Sequence, residues 1–186
     1  MKPSPFFKDS FRHFFKRFYS ERRLARWFSK RAGGESAVFA CPADFGEFKR
    51  TLVFLPDDAA EAKKLLEFFR PIWTKGNALG VAGTKIQEPL LHFKNPAKMI
   101  FLSELECRFG ERKFEDARSE ILAFGPELCL YFAEPFWPAL YLARVSGAVC
   151  RVGFAAEAFY PFLNVSLNDG GALAQIKKRY GGLLAP

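Results

Sequence analysis

From residue 50 onward, the hydrophobic residues form short continuous runs separated by segments with helical spacing. The runs are rich in β-branched, aromatic and leucine side chains, and their length is typical of strands. They predict strands at 51–55, 78–82, 99–102, 128–133, 148–154 and 162–167. The continuous run at 128–133 is the pattern of a strand that is covered on both faces of a sheet.

The segments between these runs carry apolar residues at intervals of three and four, as one face of a helix does. The predicted helices contain Ala62, Leu65, Leu66 and Phe69; Phe114, Ala117, Ile121 and Phe124; Trp137, Leu140 and Tyr141; and residues 172–180. Pro71 is expected to end or kink the first helix, Gly125-Pro126 to stop the second and Gly147 to close the third.

Short strands that alternate with helices indicate βαβ units, in which the strands are parallel and the crossovers are right-handed. The sequence therefore predicts a single Rossmann-like three-layer α/β domain over residues 35–186. Its mostly parallel sheet would lie between two layers of helices.

Residues 6–19 carry a different pattern, with aromatic residues on one helical face and cations on the other. The aromatic face holds Phe7, Phe11, Phe14 and Phe18. The opposite face holds Lys8, Arg12, Lys16 and Arg17. This pattern predicts a basic amphipathic helical arm over residues 1–34, which Gly33-Gly34 separates from the domain.

The net charge of the chain is concentrated in this arm. Residues 1–31 contain ten Lys and Arg against two acids, a net charge of +8 that equals the charge of the whole chain. The rest of the chain carries eighteen charges of each sign. An anionic partner is therefore expected to dock on the arm.

Three kinds of partner fit a basic arm with an aromatic face. The aromatic face could pack on another protein or on a second copy of the chain. The arm could instead lie in an anionic membrane surface, with its rings among the acyl chains. Nucleic acid is the least favoured partner, because the cations suit phosphate but the sequence contains no module that reads bases.

Acidic residues follow two of the predicted strands, at the edge where parallel sheets bind ligands. Asp57 and Asp58 follow the strand at 51–55, and Glu134 follows the strand at 128–133. Each is a candidate crevice residue, and an aspartate there could act as a general base. The structural alternative is that these acids cap helices or face solvent.

No motif for catalysis or for cofactor binding accompanies these acids. The glycines at 76, 80 and 83 lack the spacing of a dinucleotide-binding loop, and the sequence contains neither a Walker A motif nor a G-x-S-x-G elbow. The sequence therefore predicts no cofactor and no catalytic residues, and it favours a protein that is not an enzyme.

The cysteines and histidines do not form a metal-binding pattern. They are Cys41, Cys107, Cys129, Cys150, His13 and His92. Without a C-x-x-C pair, we predict reduced thiols and no metal.

The sequence has no signal-peptide pattern and no apolar stretch of about 18 residues. These features predict a cytoplasmic protein, peripheral to the inner membrane if the arm binds lipid.

Three consecutive segments resemble the late first domain of lipopolysaccharide heptosyltransferase-like glycosyltransferases. They are LCLYF at 128–132, LYLARVSGA at 140–148 and RVGF at 151–154. In that family, a similar strand leads into a helix that ends in Leu-Ser-Gly-Ala and then into an Arg-Ile-Gly-Phe strand. The layout of residues 10–182 is also similar to short bacterial α/β proteins of the Bacteroidetes type, which imply no particular function.

The resemblance implies the acceptor-side half of a glycosyltransferase. Heptosyltransferases have a second Rossmann-like domain that binds most of the sugar nucleotide, and this chain of 186 residues has a counterpart for the first domain only. Their first strand leads into a Gly-Asp turn with an acceptor-side base, whereas here Asp57 and Asp58 follow Leu55-Pro56 without that glycine. Either aspartate would inherit the role.

The leading hypothesis is a non-catalytic protein of this fold, which its arm attaches to a partner or to a membrane. The alternative is a half-transferase that obtains its nucleotide-binding domain by dimerisation or from a separate subunit.

Overall fold

The computed structural model describes residues 45–91, 98–103, 111–134, 136–154, 159, 162–167, 176 and 178. Within these residues, six strands form one sheet in the order β3-β2-β1-β4-β5-β6, and every neighbouring pair is parallel. The strands are β1 Thr51–Phe54, β2 Ala78–Gly83, β3 Lys98–Leu102, β4 Leu128–Tyr131, β5 Cys150–Phe154 and β6 Val165–Leu167. The predicted α/β fold with a parallel sheet is confirmed.

The helices between the strands end where the sequence predicts. The α-helices in the described part of the chain are α1 Ala59–Phe68, α2 Arg70–Trp73, α3 Gln87–Leu91, α4 Arg112–Phe124 and α5 Trp137–Val145. Pro71 lies in the first turn of α2, so the first predicted helix breaks at Phe69. Gly125 ends α4 with a φ of 61°, and Gly147 follows α5 with a φ of 84°. Of the predicted C-terminal helix, the described residues 176 and 178 are helical.

Helices pack on both sides of the sheet, because successive strand residues point to opposite faces. Phe54 packs with Ile121 of α4 and Leu140 of α5, and this side is named the α4–α5 face. Val53 packs on the opposite side with Leu65 of α1, and this side is named the α1–α3 face. Burial of each such side chain stabilises the fold by about 1.5–3 kcal/mol.

Four of the predicted strands are shorter than their hydrophobic runs. β1 ends at Phe54, β4 ends at Tyr131, β5 begins at Cys150 and β6 covers only Val165–Leu167. Residue 148 stays in the turn after α5, because its backbone N–H donates to the Ser146 hydroxyl at 3.2 Å. Hydrophobic residues outside the strands are still buried, because they fill the core beside the sheet.

Polar groups join the start of β5 to the segment before β6. Arg151 is 3% exposed, and its guanidinium donates from Nε to the Phe162 carbonyl at 2.8 Å and from Nη1 to the Ala148 carbonyl at 2.7 Å. The Asn164 side chain accepts from the Arg151 backbone N–H at 2.7 Å and donates to the Val149 carbonyl at 2.9 Å. These bonds fix the segment before β6 against the end of the α5–β5 turn.

Candidate functional site

The strand order reverses beside β1, and this reversal marks the edge where a ligand site is expected. Helices α1–α3 follow β1 and β2 on one face, whereas α4 and α5 flank β4 on the other. β1 and β4 are neighbours, with Phe54 opposite Tyr131. In open parallel sheets, ligands bind outside the carboxyl ends of the strands at such a point. Asp57, Asp58 and Glu134 all follow these two strands.

Asp58 is the N-cap of α1. Its Oδ1 accepts a hydrogen bond from the Glu61 backbone N–H at 2.8 Å, and its backbone is extended, as at N-caps in general. The structure therefore confirms the capping interpretation of Asp58. The same bond places a carboxylate at the helix N-terminus, where an anionic ligand would otherwise bind.

Replacing Asp58 with alanine is expected to lower the free energy of unfolding by about 0.5–2 kcal/mol, because the α1 cap is lost. Urea denaturation of the variant measures this loss. Asp58→Asn keeps a side-chain oxygen acceptor and should lose much less. Equal stability of Asp58→Ala and the unmodified chain would contradict the capping role.

Asp57 is directed away from β4. Its Oδ2 lies 3.8 Å from Lys85 Nζ, and its side chain also packs against the backbone of Gly83. Gly83 ends β2 and Lys85 follows it. β2 lies on the side of β1 opposite β4. The Asp57 side chain is 51% exposed, so its ion pair adds little stability. The three predicted acids therefore share one edge of the sheet, but Asp57 and Asp58 make structural contacts there.

Glu134 lies in a small pocket at the carboxyl ends of β4 and β5, which we name the β4–β5 pocket. Its volume is about 230 Å³. It is lined by Tyr131, Phe132, Ala133, Glu134, Phe154, Phe159 and Leu163. Of the three predicted crevice residues, Glu134 alone is in this lining. The sequence does not predict the aromatic lining, because these residues have the same hydrophobic pattern as ordinary strand and core residues.

The phenol of Tyr131 fixes the loop that forms this pocket. Its hydroxyl donates to the Glu134 carbonyl at 3.2 Å and accepts from the Phe136 backbone N–H at 3.3 Å. Its ring packs on Phe54 of β1, with a centroid separation of 5.1 Å. The loop after β4 is therefore held to the sheet by a buried side chain, and the backbone of Glu134 is positioned by it.

The two described cysteines are buried thiols on opposite faces of the sheet, and they are not joined by a disulfide. Cys129 belongs to the α4–α5 face and Cys150 to the α1–α3 face, so the two side chains point apart. Burial raises the pKa of Cys129 from 9.0 to about 12, and the positive charge of Arg151 opposes part of that rise. Cys129 is therefore a neutral thiol at physiological pH. The predicted reduced state agrees with the structure for these two residues.

Among the residues that the structure describes, no three His, Cys, Asp or Glu side chains lie together as metal ligands would. Within the same ranges, no helix is both long enough and apolar enough to cross a bilayer.

The predicted contact residues of the arm lie outside the described residues. They are Phe7, Phe11, Phe14, Phe18, Lys8, Arg12, Lys16 and Arg17. Cys41, Cys107, His13 and His92 also lie outside the described ranges.

Comparison with protein-family models, with curated proteins and with solved structures gave no match to this chain. The similarity to heptosyltransferase-like glycosyltransferases therefore stays a prediction from the sequence.

Proposed function

We propose that this chain is a non-catalytic binding protein. Its α/β domain would correspond to the acceptor-side half of heptosyltransferase-like glycosyltransferases. Its basic amphipathic arm would attach the domain to a protein partner or to an anionic membrane surface, from the cytoplasmic side.

The contacts of the two aspartates after β1 are the observation that supports a non-catalytic role. A general base needs a lone pair directed at the substrate proton. Asp58 instead accepts the Glu61 N–H, and Asp57 pairs with Lys85 beside β2. Neither aspartate is in the lining of the β4–β5 pocket.

Electrostatics at the start of α1 also weigh against a sugar nucleotide in this position. A diphosphate binds at a helix N-terminus through unpaired backbone N–H groups and the positive end of the helix dipole. At α1, the Asp58 carboxylate already occupies that position, and Glu61 adds a further negative charge in the first turn. A diphosphate would meet repulsion instead of a vacant anion site.

Thermal unfolding with a panel of sugar nucleotides separates the binding role from the half-transferase alternative. A ligand that binds the folded state stabilises it by about 2.7 kcal/mol at one hundred times its dissociation constant. We expect no increase in melting temperature at millimolar sugar nucleotide. An increase together with sugar transfer to an acceptor would favour the half-transferase.

The charge asymmetry of the sequence supports a docking role for the arm, and sedimentation with liposomes tests its membrane form. In the full-length chain, replacing Lys8, Arg12, Lys16 and Arg17 with Gln is expected to abolish binding to vesicles containing phosphatidylserine. Each cation near an anionic leaflet contributes about 1 kcal/mol. Vesicles of phosphatidylcholine alone provide the uncharged comparison.

A second variant controls for total charge. Replacing Lys63, Lys64, Arg70 and Lys75 with Gln removes the same number of cations from the α1–α2 region and should leave vesicle binding unchanged. Equal loss in both variants would show a nonspecific charge effect, and no vesicle binding by the unmodified chain would favour a protein partner. Binding to nucleic acid that falls steeply with salt would favour the third alternative.

A further inference from the structure

We propose that the β4–β5 pocket binds a small cationic ligand with one aromatic ring, such as an aryl-alkyl amine. This assignment rests on the proposed binding role of the domain and names the ligand class for one site on it. The argument depends on the place, the size, the aromatic lining and the charge of the pocket.

The pocket lies at the edge of the sheet where ligands of open α/β folds bind. Its described lining comes from the ends of two adjacent strands, Tyr131 of β4 and Phe154 of β5, from residues 132–134, and from Phe159 and Leu163. Tyr131 holds the loop after β4 through two hydrogen bonds to its hydroxyl. The β4 side of the site is therefore preformed, and a ligand does not need to order that loop.

The volume restricts the ligand to about one ring with a short chain. The pocket measures about 230 Å³. An apolar cavity of about 150 Å³ is sufficient for benzene, and sites for drug-sized ligands begin at about 300 Å³. A nucleoside diphosphate would not fit within the pocket.

Aromatic side chains dominate the surface that a ligand would contact. Tyr131, Phe132, Phe154 and Phe159 contribute four of the seven described lining residues. Phe132 and Phe154 meet edge to face, with centroids 6.5 Å apart and an interplanar angle of 62°. Both are partly exposed, so a bound ring would remove their apolar surface from water.

The charge of the lining favours a cation. Among the described residues of the lining, Glu134 is acidic and exposed, and none of the seven is basic. Aromatic faces attract cations through their quadrupoles, and an adjacent carboxylate adds to that attraction. The Tyr131 hydroxyl already has two partners in the β4 loop. An amine on an aromatic body therefore matches this surface, whereas a carboxylate or a phosphate would be repelled.

Titrations of the full-length chain with three probes test the assignment. The probes are 2-phenylethylamine, 2-phenylethanol and 3-phenylpropionate, which share the ring and the short chain but differ in charge. Backbone amide NMR spectra follow binding and its location. We expect the amine to bind at least about tenfold more tightly than the acid, with the alcohol between them. Shifted resonances should include residues 131–134 and 154.

Glu134→Gln is expected to weaken amine binding by about three- to fivefold, as for an exposed ion pair, and to leave alcohol binding unchanged. Glu67→Gln is the control, because it removes the same charge from an exposed position near the C-terminal end of α1. This end of α1 is remote from the carboxyl edge of the sheet, so amine binding should not change. Phe154→Leu keeps an apolar side chain, removes one ring and should weaken both the amine and the alcohol.

Equal affinity for the amine and the acid would overturn the charge argument, as would unchanged amine binding in Glu134→Gln. Absence of binding by all three probes at 10 mM, or shifts confined to residues remote from β4 and β5, would overturn the site itself. Sugar-nucleotide binding would instead overturn the proposed function and leave the amine result standing. The two failures are therefore distinguishable.

Discussion

Replacing Arg151 with methionine is expected to lower the free energy of unfolding by about 3–5 kcal/mol. The guanidinium is buried and donates to the carbonyls of Ala148 and Phe162. Methionine fills similar space but donates no hydrogen bonds, so both carbonyls lose a charged donor, each at a cost of about 1.5–3 kcal/mol. Urea denaturation at neutral pH, followed by far-ultraviolet circular dichroism, measures the change.

An exposed arginine provides the control for Arg151→Met. Arg112 is 93% exposed and lies 3.7 Å from the Asp116 carboxylate, so Arg112→Met should change stability by less than about 0.5 kcal/mol. Arg151→Lys keeps the charge but not the planar arrangement of donors, and we expect intermediate stability. A loss below about 1 kcal/mol in Arg151→Met would contradict the role of these bonds.

Alkaline pH is expected to destabilise the fold through Cys129. The pKa of this thiol is raised from 9.0 to about 12 in the folded chain. Between these values the unfolded chain releases the proton and the folded chain keeps it, so a rise in pH favours unfolding. The stabilising contribution of the protonated Cys129 thiol is fully present below pH 9 and is lost as the pH rises toward 12. The slope reaches about 1.4 kcal/mol per pH unit.

Stability measured against pH in Cys129→Ala isolates this contribution from the titration of other groups. The difference in unfolding free energy between the unmodified chain and Cys129→Ala should be constant below pH 9 and should fall above it. Val53→Ala truncates a buried apolar side chain without removing a titrating group, so its difference should stay constant. If the stability curves of the unmodified chain and of Cys129→Ala stay parallel across this pH range, the prediction is wrong.

The sheet and its helices follow from the sequence pattern because burial on both faces leaves long apolar runs and because glycine and proline mark the ends of helices. Gly125, Pro71 and Gly147 act where predicted, since their backbone restrictions are local. Strand ends are less predictable. Phe162 and Leu163 extend the run before β6 but pack on the α4–α5 face outside any strand. A hydrophobic run therefore predicts which residues are buried, but not which of them pair with a neighbouring strand.

The acids at the carboxyl edge could be located from the sequence, but their directions could not. Position after a strand is a property of the chain order, and it placed Asp57, Asp58 and Glu134 at the correct edge. The turn of Asp57 toward Lys85 depends on the pairing of β1 with β2, which is a tertiary feature. Only Asp58 has a local signature, since aspartate before a helix is a preferred cap.

The aromatic pocket was not predictable from the sequence. Phe132 and Phe154 have the same character as fully buried strand residues, and their partial exposure results from the point at which β4 and β5 end. Phe159 and Leu163 come between β5 and β6 in the sequence, and their place in the pocket depends on tertiary packing. The sequence similarly places Arg151 in a strand but does not indicate that its charge is buried.

The central position of β1 has a consequence for synthesis of the chain. Thr51 pairs with Ala78 on one side but with Leu128 on the other, so one edge of β1 has no partner until β4 has left the ribosome. Distant pairings of this kind slow folding and leave open strand edges that promote aggregation. A nascent chain that stalls between β3 and β4 is therefore the form that would most need a chaperone.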